Sequence, residues 1–129
     1  MEFNPLDKTL VPLLRKSLDA YTTRHTAIAE NMANVETKGF RPLKVQFESE
    51  LERALDKNQP VTKKTDPKHM DIYNDMQSVK ERVEELDAQV NIEDEMSELA
   101  QNQIRFDFVT KMLRARYETI KMSIRGRIS

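Results

Sequence analysis

The sequence predicts an all-α protein in which long N- and C-terminal helices pair as an antiparallel coiled coil around an irregular middle segment containing short helices. Three observations carry that expectation. Apolar residues recur every seven positions near both ends of the chain, the middle is polar and broken by prolines, and 33% charged against 38% hydrophobic residues leaves little to fill a compact globular core. A rod-like or partner-dependent helical chain follows from that composition.

The N-terminal helix is read from Leu14, Tyr21, Ile28 and Val35, seven apart, flanked by Leu10, Leu18, His25 and Met32. Asn4 or Asp7 is placed to cap a helix start, and proline is tolerated best in a first turn, so the continuous helix is expected from about Pro12. Arg15, Lys16, Asp19, Arg24 and Glu30 are assigned to the opposite, solvated side.

Gly39 supplies the positive φ of a helix C-terminal cap, with Lys38 beside the last carbonyls and Pro42 preventing resumption, so Gly39 is expected to stop the helix. Asn31 and Asn34 stand one turn apart, so their amides either face a common neighbour or lie solvated near a fraying end.

Residues 41 to 88 hold Pro42, Pro60 and Pro67, and "KNQPVTKKTDPKHMD" reads as non-helical. "VQFESELERALDK" is compatible with a short helix, and "YNDMQSVKERVEELDAQV" with a charged one. Three regions result: residues 1–40, a helix and its turn; 41–88, the irregular middle; and 89–129, a helix that returns to pair with the first.

In the C-terminal helix Leu99, Phe106, Leu113 and Ile120 form one heptad track, and Met96, Gln103, Thr110, Tyr117 and Ile124 a second, which together make the expected seam. Asn91 is positioned to cap it. Glu93, Asp94, Glu95 and Glu98 near its start, and Lys111, Arg114, Arg116, Lys121 and Arg125 toward its end, both complement the helix dipole. Phe108, Val109 and Met112 fall outside that seam, so the apolar surface is wider than one partner helix covers and a second partner is implied.

The chemistry that is absent narrows the function. There is no cysteine for disulfides, thiolate metal sites or thiol nucleophiles, and two glycines cannot build a phosphate loop. His25 and His69 lack partners at metal-ligand spacing and are read as structural, and the run Glu93, Asp94, Glu95 is read as a helix start rather than a cation site. No catalytic, cofactor-binding or metal site is expected, and the chain is expected not to be an enzyme.

A formal net charge of −1 provides no field to recruit nucleic acid, and the cluster of Arg114, Arg116, Lys121, Arg125 and Arg127 is interleaved with Leu113, Tyr117 and Ile120, as a packing seam with charged flanks would be. The start "MEFNPLDKTLVPLLRK" has neither the pattern of a cleavable signal nor a membrane span, so no direct membrane insertion is expected.

Against that background, "AENMANVETKGFR" resembles the signature of the flagellar rod, hook and hook-associated axial proteins, roughly Asn-Asn-Ile-Ala-Asn-x-x-Thr-x-Gly-Tyr. Asn31, Met32, Ala33, Asn34, Thr37, Gly39 and Phe40 occupy the signature positions, with Glu30 in place of the first asparagine and Phe40 in place of the tyrosine. "VNIEDEMSELAQNQIRFDFV" resembles the family's C-terminal block, and "TDPKHM" a Thr-x-x-x-His segment between the two. The resemblance covers roughly residues 9 to 125, and the short middle is most similar to that of the proximal rod subunits.

The resemblance implies a structural subunit of the bacterial flagellar basal body. It would assemble with other rod subunits, a rod-to-ring adaptor protein and the membrane-ring protein into a periplasmic tube that transmits motor torque. It also implies passage through the flagellar type III export gate without a cleavable signal peptide. Phe47 and Leu51 in "FESEL" resemble the aromatic-xxx-hydrophobic export motif of early substrates. The residues expected to carry assembly are the signature positions and the seam of Leu14, Tyr21, Ile28, Met96, Leu99, Phe106, Leu113, Tyr117 and Ile120. The alternative reading of the same helices is a cytoplasmic helical adaptor or export chaperone that holds a client in a groove.

Overall fold

The computed structural model describes residues 5–57 and 79–126. Helix α1 runs Pro5–Ala33, strand β1 Leu43–Gln46, helix α2 Glu48–Lys57, strand β2 Arg82–Glu85 and helix α3 Ile92–Arg125. Among the described residues the protein is largely all-α, with the two long helices packed on each other and one two-stranded sheet. His69 and the "TDPKHM" segment, like Arg127, lie outside the described residues.

The helices pair antiparallel, because contacts step up α1 as they step down α3. Leu14 and Tyr21 share a buried cluster with Val109, Asn102 bonds to Tyr21, and Asn31 bonds to Glu95. Leu10, Leu18, Phe106 and Leu113 pack around the Leu14–Tyr21–Val109 cluster. Each fully buried side chain of this size stabilises by about 1.5–3 kcal/mol, so this short seam is the main source of cohesion between the chain ends.

α1 does not start at Pro12 but continues through it. Proline removes one backbone hydrogen bond there, and the packing of Leu10, Leu14 and Leu18 on both sides of it holds the helix together. At the other end α1 stops at Ala33, six residues before Gly39, so Gly39 is not its cap and Val35 is not part of the stripe. Asn34 ends the helix: its amide Nδ2 donates to the Glu30 carbonyl at 2.9 Å, and its Oδ1 accepts from the Thr37 hydroxyl at 3.1 Å. Gly39, at φ 81°, sits in the following turn, closed by Phe40 N–H donating to the Thr37 carbonyl at 3.2 Å. Positive φ at the third residue of such a turn is what a type II geometry requires.

α2 forms where a short helix was expected. β2 occupies sequence read as a charged helix, and β1 was not foreseen. They pair antiparallel, Val45 opposite Val83 and Lys44 opposite Glu84, with Leu86 N–H donating to the Pro42 carbonyl just past the ladder. The physical reason is tertiary. β1 is held against α1 and presents a free edge, and pairing with that edge outweighs the weak helix preference of "RVEE".

Candidate functional site: the helix clasp and the outward face of α3

The signature turn closes onto Asn31, which is 1% exposed. Its Nδ2 donates to the Leu43 carbonyl at 2.9 Å and to Glu95 Oε1 at 3.0 Å, and its Oδ1 accepts from Leu43 N–H at 2.7 Å. One amide thus behaves as a strand partner for β1 while also gripping α3. Asn31 and Asn34 do not face a common neighbour: Asn34 turns back on its own helix end. Met32 and Asn34 are half-buried, Ala33, Thr37 and Gly39 exposed, and Phe40 half-buried.

Arg24, assigned by sequence to the solvated side, is 8% exposed. It forms a bidentate pair with Glu48, at 2.8 and 2.5 Å, donates to the Val45 carbonyl at 3.0 Å and lies 5.6 Å from the Tyr21 ring centre. The hydrogen-bonded pairing with Arg24 holds the Glu48 carboxyl below its usual range, against the opposing effect of burial. The same pair raises Arg24, and burial, with Glu48 adding to it, raises Tyr21. Arg105 of α3 approaches Glu48 at 3.6 Å, so this carboxylate joins α1, the start of α2 and α3. Lys16, likewise assigned to solvent, donates to the Val79 carbonyl at 2.8 Å. Both reassignments have one cause: the middle segment folds across that side of α1, and its carbonyls and carboxylate need donors.

Phe47 is 2% exposed, packed with Ala20 and Val79 and edge-on to Tyr21 at 6.3 Å, with Leu51 against the same cluster. The Phe47 ring is therefore out of reach of other molecules in the folded chain, and Leu51 is half-buried.

In α3, Phe106 and Leu113 of the Leu99, Phe106, Leu113, Ile120 track pack against α1, while Leu99 is 36% exposed and Ile120 half-buried. The interleaved positions on that side are Asn102 and Val109, the two buried residues of the helix. Met96 and Tyr117, expected in the seam, are 58% and 45% exposed. The second row of the seam is therefore Asn102 and Val109 and not the Met96–Tyr117 track, because the buried asparagine finds a backbone partner on α1. Asn102 is fully buried, donates Nδ2 to the Tyr21 carbonyl at 2.8 Å and leaves Oδ1 without a hydrogen-bond partner. Leu14, Tyr21 and Ile28 are all buried, as a seam requires. His25 lies against the Phe106 ring, 6.1 Å between centres.

The α3 start is capped as its sequence suggests, with Asn91 Oδ1 accepting from Glu93 N–H at 3.0 Å. Half a turn from the buried row stands a second apolar row, Met96, Ala100, Ile104, Phe108 and Met112, spaced by four. Ile104 and Phe108 are 70% and 63% exposed. Among the described residues nothing covers this row, and no helix is long and apolar enough to cross a membrane.

Two long terminal helices, clasped by a signature asparagine and leaving an apolar face outward, make the arrangement that the resemblance to axial subunits leads one to expect. Comparison with known proteins supports the class and narrows it. The chain is 25% identical over 119 residues to the flagellar basal body rod protein FlgB of Bacillus subtilis, covering 88% of this chain and 91% of the relative. It is 27% identical over 128 residues to FlgB of Borreliella burgdorferi, covering 89% and 95%. A 45-residue stretch is 49% identical to FlgB of Borrelia hermsii, covering 35% of this chain and 33% of that one. All three bear the same name, and over most of its length the chain is similar to two of them. No family model and no solved structure matches the chain.

Proposed function

We propose that this chain is a structural subunit of the proximal rod, assembling with other rod subunits into a tube that connects to the membrane ring and transmits motor torque. The observation that carries the reading is the outward apolar row of α3, which has no partner within the described chain and suits burial between subunits. Torque transmission would then rest on close-packed helices, which resist deformation, and not on turnover.

The partners in this reading are the other rod subunits, the rod-to-ring adaptor, the membrane-ring protein and the type III export gate. The signature residues set the turn that joins α1 to β1, and the seam residues hold the helix pair. Export in an unfolded state is in keeping with the burial of Phe47, which is readable only before folding.

The test is electron cryotomography of the source organism deleted for this gene, with complementation. Basal rings without rods, restored by the intact gene, are expected; complete rods bearing filaments in the deletion would overturn the proposal.

A further inference from the structure

The two-stranded sheet has one occupied edge and one open edge. On the side of β1 that faces away from β2, Asn31 takes both backbone groups of Leu43, at 2.7 and 2.9 Å, and Arg24 donates to the Val45 carbonyl at 3.0 Å. Leu86 N–H donates to the Pro42 carbonyl, and hydrogen-bonded pairs alternate along an antiparallel ladder, so the bonds between the strands fall to Lys44 with Glu84 and to Gln46 with Arg82. Val83 and Glu85 therefore turn their N–H and carbonyl groups to the far side of β2. Among the described residues none of these four groups has a partner.

The side chains on this edge say what would fit it. Val83 and Glu85 share the face of the sheet that carries Leu43 and Val45. Val45 is 4% exposed but Val83, directly opposite, is 49% exposed, so the apolar row stops half-covered at the open edge. On the other face Glu84 is already engaged, by Arg82 at 3.0 Å and by Gln46 at 2.7 Å. Glu85 is exposed, and no side chain among the described residues pairs with it.

We infer that β2 receives a third, antiparallel strand from a partner protein, an extended segment with an apolar residue opposite Val83 and a lysine or arginine opposite Glu85. The four outward backbone groups supply the hydrogen bonds of strand addition, and the Val83–Glu85 pair selects the sequence. A second copy of β2 is a poor occupant. Paired on itself through the same backbone groups, it sets Glu84 against Glu84 in one register and Glu85 against Glu81 in the next, and like charges directly opposite are destabilising. Charge on a short edge strand is a common guard against indiscriminate pairing, and here it leaves a basic strand admissible. The inference rests on backbone geometry and charge and not on the rod reading, and its failure would leave that reading untouched.

Hydrogen exchange of the purified intact protein, followed amide by amide by NMR, is the test. In the protein alone the Val83 and Glu85 amides should exchange fast while those of Arg82 and Glu84, within the ladder, are protected. The probe is the end-blocked peptide Lys-Thr-Lys-Thr-Val-Thr, which sets its second lysine opposite Glu85 and its valine opposite Val83. At about ten times its dissociation constant it should slow both amides by about tenfold, and the same peptide with glutamate for both lysines should not. Val83→Pro removes one outward donor and no ladder bond, so it should keep its circular dichroism spectrum and lose the peptide. Glu85→Lys leaves every backbone group in place and should transfer the preference to the glutamate peptide. Protection of Val83 and Glu85 in the protein alone would mean that this chain or a second copy already covers the edge, and would overturn the inference. So would the absence of any slowing up to several millimolar lysine peptide, equal binding of the two peptides, or an unchanged preference in Glu85→Lys.

Discussion

Asn31 holds Leu43 by both backbone groups, accepting from its N–H at 2.7 Å and donating to its carbonyl at 2.9 Å, so that one side-chain amide takes the place of a missing strand. The bond to Glu95 adds α3 to the same point. Three segments distant in sequence are thereby fixed by a residue that local propensity alone would leave in solvent.

Asn31→Ala strands buried polar groups at Leu43 and should destabilise the fold by about 2–3 kcal/mol, a large share of a small domain's stability. Asn31→Asp keeps the acceptor, loses the donor and sets a carboxylate beside Glu95. It should be at least as damaging at neutral pH and recover in part on acidification. Urea unfolding followed by circular dichroism at pH 7 and pH 5 separates the two variants.

The Arg24–Glu48 pair gives the fold an acid-sensitive component. The Glu48 carboxyl is depressed in the folded protein, so its contribution is complete above the ordinary carboxylate range and is lost as pH falls through the lower, folded value. Glu48→Gln should therefore be less stable than the parent at pH 7 and converge with it toward pH 3. Thermal midpoints across that range check the convergence.

Gly39 has open space where a Cβ would point, so substitution there meets no clash and only the positive φ resists it. Gly39→Asn should cost little, and Gly39→Val more, about 1–2 kcal/mol, since a β-branched residue tolerates the left-handed region poorly. Comparing the two variants by urea midpoint isolates backbone strain from packing.

Asn102 leaves a buried acceptor unpaired in the seam. Asn102→Leu removes that unsatisfied atom, and the Tyr21 carbonyl it releases lies within α1, so the thermal midpoint should hold or rise. Asn102→Asp buries a charge instead and should lower stability by more than 2 kcal/mol at neutral pH. A lone asparagine in a helix seam also fixes register, so the leucine variant should show greater heterogeneity in amide NMR spectra.

Phe47→Ala should cost about 3–5 kcal/mol, because the ring fills the space between Ala20, Val79 and Tyr21. The measurement is the same urea titration. A loss below 1 kcal/mol would mean that α2 and its leading strand are not part of the cooperative unit.

The all-α class, the two terminal helices and the Asn91 cap are legible in the sequence alone, whereas the place where α1 ends, six residues before Gly39, is not. Those features are written in heptad spacing and cap chemistry, which act over a few residues and survive in any context. Leu14, Tyr21 and Ile28 are buried, and Phe106 and Leu113 pack beside them, at the seven-residue spacing that the sequence shows, whereas Val35 and Leu99 on the same tracks are exposed.

What happens on the other side of α1 depends on segments distant in sequence. Arg24 and Lys16 look solvated until β1, α2 and the Val79 segment fold over them and bring carbonyls and the Glu48 carboxylate within reach. "RVEE" became a strand because a free edge was waiting for it, and Asn102 entered the seam because the Tyr21 carbonyl stood opposite. A polar side chain is buried or exposed according to the partner it meets. That partner lies dozens of residues away, beyond the range of any local pattern.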